Sequence, residues 1–87
     1  MAWTIEIDVG AQRTFRKLAK ADADRITRYL ADLLSLQDPR QRGGALTGGM
    51  KGLWRYRVGD YRVICRVEDG RMVVLVLDVG HRREVYR

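Results

Sequence analysis

Cysteine, histidine, proline and phenylalanine each occur once in this chain. The single thiol, Cys65, excludes an internal disulfide and fits a reducing compartment. One histidine with one cysteine leaves no structural zinc site of the usual kind, so no metal is expected. The longest apolar run, Met72 to Leu77, is six residues, far below the ~20 of a membrane helix. The opening residues carry Glu6 and Asp8 and no Lys or Arg, so no signal peptide is read there. A cytoplasmic protein without a membrane partner is expected.

What is present is charge, mostly arginine. The 87 residues, 46% hydrophobic and 32% charged, suit one globular domain; two would each be too short to bury a core. Residues 1–39 hold six basic and six acidic side chains, and residues 40–87 hold eleven and five. The net +6 therefore sits wholly in the second part. Fourteen of the seventeen basic residues are arginine. Arginine offers a planar fork for phosphate and a flat cation that stacks on bases. A basic, Arg-rich half beside a neutral half suggests a polyanion-binding face.

Trp3, Ile5 and Ile7 alternate with Thr4 and Glu6, which predicts a half-buried strand. Asp8 is placed to cap a short amphipathic helix carrying Ala11, Phe15 and Leu18. Lys20 to Ala23 reads as a tight break with Asp22 as the next cap. A second helix is expected from about Ala23 to Leu36, with Ile26, Leu30, Leu33 and Leu34 on one stripe. Asp38-Pro39 is expected to end it, and the two helices should form an antiparallel hairpin. Residues 40–52 hold five of the nine glycines. No GxxxxGK[ST] pattern lies there, and a mobile connection is expected.

From Leu53 the pattern alternates in twos. Val58-Gly59-Asp60-Tyr61 predicts a hairpin with a two-residue turn. Pairing Val58 with Tyr61 sets Arg57 opposite Arg62 and Arg55 opposite Ile64. One face then carries Trp54, Tyr56, Val58, Tyr61, Val63 and Cys65 as core. The other carries Arg55, Arg57, Arg62 and Arg66 on a rigid sheet. Asp69-Gly70 is the next turn. Met72 to Leu77, apolar throughout, predicts a central strand covered on both sides. The fold class expected is α+β: a strand, a two-helix hairpin, then a three-stranded antiparallel meander, making a twisted four-stranded sheet.

Arg57 opposite Arg62 costs stability, which points to a partner for that face. A nucleic-acid backbone or an acidic protein segment would serve. Fixed guanidinium groups stabilise the charge that builds on phosphate oxygens when a 2′-hydroxyl attacks the adjacent phosphorus. Histidine ordinarily titrates near neutrality, so His81, beside Arg82, is a candidate acid–base group. Tyr86 is placed to stack a base. The general base stays open, because arginine holds its proton tightly.

The stretch Leu46-Thr47-Gly48-Gly49-Met50-Lys51-Gly52-Leu53-Trp54-Arg55-Tyr56-Arg57-Val58-Gly59-Asp60-Tyr61-Arg62-Val63 resembles the RelE/ParE toxin superfamily. So does the ending Val79-Gly80-His81-Arg82-Arg83-Glu84-Val85-Tyr86. The element order matches as well, so the resemblance covers nearly the whole chain. It implies a toxin of a type II toxin–antitoxin pair. RelE-like members are metal-free messenger-RNA endonucleases acting in the ribosomal A site. ParE-like members share the fold and poison DNA gyrase.

The resemblance implies catalytic roles for Arg55, Arg62, His81, Arg82 and Tyr86. Arg62 matches the arginine at the scissile phosphate. Arg55 matches a basic residue on the first meander strand. Arg82, or alternatively Arg83, matches the group aiding departure of the leaving oxygen, and Tyr86 matches the tyrosine that orients the RNA. Lys51, Arg57, Arg66 and Arg83 are expected to contact RNA. Leu53 stands where nuclease members often carry a lysine, with Lys51 as a substitute from the loop. No cofactor is implied. The partners implied are a RelB-like antitoxin, the ribosome and messenger RNA. The free toxin is expected to be monomeric and its complex with antitoxin hetero-oligomeric.

Overall fold

The computed structural model describes residues 2–81. The elements run β1 (Thr4–Ile7), α1 (Val9–Lys17), α2 (Lys20–Leu33), β2 (Gly44–Ala45), β3 (Trp54–Val58), β4 (Tyr61–Glu68) and β5 (Val73–His81). Short 3-10 turns at Pro39–Gln41 and Gly48–Met50 flank β2. The strands form one mixed sheet in the order β1-β5-β4-β3-β2. β1 lies parallel to β5, and the remaining pairs are antiparallel. The α+β class is as expected, but the sheet has five strands rather than four. The fifth is Gly44–Ala45, inside the glycine-rich loop.

That loop is built rather than mobile, because the chain presses against β3. Gly43, at φ +78°, would place a Cβ 2.3 Å from the Arg55 carbonyl oxygen. Only glycine fits there, and the approach lets Gly44 pair with Arg55 and Ala45 with Trp54. The Trp54 indole N–H donates to the Arg42 carbonyl at 2.8 Å, and the buried Tyr56 hydroxyl donates to the Pro39 carbonyl at 2.9 Å. The Arg42 guanidinium lies 5.8 Å from the Tyr29 ring centre. Gly48, Gly49 and Gly52 instead face open space. The loop is thus anchored at its base and open at its tip.

Asp8 caps α1 as expected, its carboxylate accepting from the Gly10 N–H at 3.0 Å. The helices differ from the predicted ones at three points. The break is Leu18-Ala19, and α2 begins at Lys20 with no side-chain cap. Asp22 lies in its first turn and accepts from the Tyr61 hydroxyl at 3.2 Å. α2 also ends at Leu33 rather than Leu36. The N–H groups of Leu34, Ser35 and Leu36 donate to carbonyls three residues back, and this tighter turn replaces the expected helical one. Asp38 then caps the 3-10 turn that Pro39 opens.

α1 packs on β5 and α2 over β3. The core between helices and sheet holds Trp3, Ala11, Ile26, Leu30, Leu33, Tyr56, Val58, Val63, Cys65, Val74, Val76 and Val79. The β3–β4 register is as expected: Val58 with Tyr61, Arg57 with Arg62, Arg55 with Ile64. Strand β5 is central, between β1 and β4, but both its faces are not sealed. Val74 and Val76 are buried under the helices, while Leu75 and Leu77 are half-exposed on the far side.

Replacing Gly43 with Ala is expected to cost about 3 kcal/mol or more, from the left-handed backbone and the collision with a backbone oxygen. Gly49→Ala, in open space, should stay within about 0.5 kcal/mol. Urea denaturation of both variants checks this; equal midpoints would mean that the loop does not dock on β3.

Candidate functional site

Strand alternation sets Arg55 and Arg57 of β3 on the sheet face away from the helices, with Arg62, Ile64 and Arg66 of β4. Arg62 is buried at 7% exposure, Arg55 is half-buried, and Arg57 and Arg66 are exposed. A guanidinium held out of water on a middle strand is fixed in place, and its field is little screened. Two glycines make room for this cluster. Gly80 of β5 stands opposite Arg62, and Gly44 of β2 stands opposite Arg55. A Cβ on Gly44 would sit 3.2 Å from the Arg55 guanidinium.

Three nearby acids, Asp69, Glu6 and Glu68, are engaged by other arginines. The Asp69 carboxylate takes two bonds from the Arg40 guanidinium, one of them 3.1 Å long. That contact holds Asp69 below its ordinary carboxylate range and Arg40 above its own. Arg71 bridges Glu6 at 2.7 Å and Glu68 at 3.1 Å. Among the described residues, Arg55, Arg57 and Arg66 make no ion pair. Lys51 is exposed just past the 3-10 turn of the loop tip.

A bulge in β5 decides what faces the arginines. Ile64 pairs with Asp78 and Cys65 with Val76, leaving Leu77 as the extra residue. Beyond it the parity of β5 is reversed. Asp78 therefore shares the arginine face, and Val79 returns to the core. His81 pairs with Tyr61, and their rings make a T-shaped contact with centres 5.9 Å apart. The structure thus brings Arg55, Arg57, Arg62 and Arg66 together but places His81 on the helix side of the sheet. There it lines an open cleft of about 430 Å³ with Thr14, Lys17, Leu18, Tyr61, Val79 and Gly80. Arg82, Arg83 and Tyr86 lie outside the described residues. Asp78 on the arginine face was not foreseen. Its only sequence signal is a lone acid ending an apolar strand, and the parity shift that aims it is silent in the pattern.

Cys65 is fully buried on the core face, and burial pushes its thiol up to about 12. It is packing rather than a nucleophile. Burial likewise raises Tyr56 above its ordinary phenol range. Among the described residues no three His, Cys, Asp or Glu side chains gather as a metal-ligand set. No helix among them is long and apolar enough to cross a membrane.

Residues 5–86 match the family model described as the ParE toxin of the type II toxin–antitoxin system parDE. The chain belongs to the RelE/ParE toxin superfamily. It is 29% identical to toxin RelG of Mycobacterium tuberculosis, over 100% of this chain and 99% of that protein. It is 30% identical to the mRNA interferase toxin RelE of Escherichia coli, over 99% and 92% of the two. Its fold matches a chain of the RelBE2 toxin–antitoxin complex of M. tuberculosis with a TM-score of 0.83. Identity there is 26%, over 94% of this chain and 100% of that one. The isolated E. coli RelE toxin matches with a TM-score of 0.75 at 27% identity, over 98% and 92%. Like other members of the superfamily, the chain is a type II toxin.

Two outcomes are expected from this geometry. Arg57→Thr should stabilise the toxin by about 0.5 kcal/mol, because it removes a like charge directly across from Arg62. A lower urea midpoint for that variant would show that the two arginines do not repel. The second concerns Cys65, whose thiol binds its proton more tightly in the folded chain than in the unfolded one. Its contribution to stability is complete below the ordinary thiol value of 9.0 and is lost as pH rises toward about 12. Melting temperature should therefore fall less steeply above pH 9 in Cys65→Val than in the parent. Parallel curves would rule out a thiol contribution.

Proposed function

We propose that this toxin is a ribosome-dependent endoribonuclease that cuts messenger RNA in the A site by metal-free attack of a 2′-hydroxyl on the adjacent phosphate. The observation that carries the reading is Arg62, a buried guanidinium on a middle strand among Arg55, Arg57 and Arg66. A cation so placed is organised before substrate arrives and stabilises charge that develops on the phosphate. The relative named mRNA interferase, 30% identical over nearly the whole chain, supports the same chemistry.

In this reading Arg62 holds the scissile phosphate and Arg55 flanks it. Arg57, Arg66 and Lys51 grip the neighbouring backbone, with Arg83 from the end of the chain. Arg82 aids the leaving oxygen, and Tyr86 stacks on the RNA. His81, on the helix side, supports the Tyr61 ring instead. The toxin works in the cytoplasm beside the ribosome. A RelB-like antitoxin is its neutralising partner, by likeness to the RelBE complexes. An acidic segment of that antitoxin would complement the net +6.

A second reading is a ParE-like toxin that inhibits DNA gyrase by binding it. The name of the matching family model favours it. The arginine face would then be a protein-docking surface.

Mapping messenger-RNA 5′ ends after induction in a bacterial host separates the two. The parent should generate cuts inside translated frames. Arg62→Ala and Arg82→Ala should each lower cutting by about 10²–10³-fold and abolish growth arrest. Both should still bind the antitoxin, which reports a retained fold. Growth arrest with intact messages and DNA-damage signalling would transfer the assignment to gyrase.

A further inference from the structure

The nuclease reading leaves the general base unassigned. Arginine does not surrender its proton under ordinary conditions, Leu53 is apolar, and His81 lies behind the sheet. We propose that Asp78 is the catalytic base of this toxin, taking the proton from the attacking 2′-hydroxyl. The inference rests on the nuclease reading given above.

The placement of Asp78 comes from the bulge. With unbroken pairing from Cys65 and Val76, Ile64 would face Leu77 and Val63 would face Asp78. The carboxylate would then point into the core. The extra residue, Leu77, moves Asp78 opposite Ile64 instead and brings Gly80 opposite Arg62. Asp78 thus stands diagonally across from Arg62 on the same face, a relation about 7–8 Å across and somewhat less between Cβ atoms. A phosphate on the Arg62 guanidinium occupies that gap. The reacting 2′-oxygen lies about 3 Å from phosphorus, which brings it within hydrogen-bond reach of a carboxylate on the next strand.

The chemistry of Asp78 suits the role. It is exposed, so RNA can reach it. Among the described residues it makes no ion pair, whereas Glu6 and Glu68 on the same face are both bound to Arg71. One of its oxygens accepts from the Val79 N–H at 2.9 Å, which orients the carboxylate. Gly80, opposite Arg62, itself adds no side chain between Arg62 and Asp78.

The step balances without a co-reactant. Asp78 accepts the 2′-hydroxyl proton as the 2′-oxygen bonds to phosphorus. The bond from phosphorus to the 5′-oxygen breaks, and that oxygen takes a proton from water. The products are a 2′,3′-cyclic phosphate and a 5′-hydroxyl, and Asp78 returns its proton to solvent.

A carboxylate on an RNA-binding face also repels phosphate, and this separates a base from a spectator. Single-turnover cutting on ribosomes programmed with a short message, with toxin in excess, gives the maximal rate and the half-saturating concentration. Asp78→Asn should lower the maximal rate about a hundredfold while tightening half-saturation several-fold. Asp78→Glu should recover part of the rate. An unchanged melting temperature confirms the fold. If the parent cuts and Asp78→Asn cuts at least as fast, the base assignment falls and the nuclease reading stands. If the parent leaves the message intact, both fall.

Discussion

The site depends on the parity of one strand. A pleated strand sends alternate side chains to opposite faces, so a single inserted residue reverses everything beyond it. In β5 that insertion is Leu77. Before it, Val74 and Val76 serve the core; after it, Val79 does. The same reversal exposes Asp78, sets a glycine against Arg62 and turns His81 toward α1. The carboxylate on the arginine face and the return of Val79 to the core are thus two outcomes of one backbone irregularity.

The sequence was legible where one face is apolar and the other charged. Trp54 to Arg66 alternates so strictly that the hairpin, its register and its four arginines follow from the pattern. It was silent where the pattern is uniform. From Met72 to Leu77 every residue is apolar, so nothing marks which ones face the helices or where the count slips. Helix boundaries failed for a different reason. Asp22 looks like a cap, but its carboxylate is engaged by Tyr61, 39 residues away. Five glycines suggest freedom in the loop. Gly43 instead serves a close approach, which depends on where β3 lies and not on local composition.

Concentrating four arginines on one face requires that nearby acids be kept from neutralising them. Arg40 and Arg71 do this by pairing with Asp69, Glu6 and Glu68. These pairs also tie the 3-10 turn at Pro39 to the β4–β5 turn, and β1 to the same hairpin. As exposed ion pairs they add little to stability. Their larger effect is on charge distribution, because they keep three carboxylates from pairing with the arginines of the face.

Strand β2 is only two residues long, and it forms one lateral boundary of the sheet. The 3-10 turns on either side bend the chain away before a longer ladder forms. A foreign strand seeking backbone partners therefore finds almost no template there. At the opposite boundary, β1 presents four residues and the charged Glu6. Both margins are poor sites for strand-by-strand polymerisation. Among the described residues, neither margin thus offers another chain a long free strand to extend.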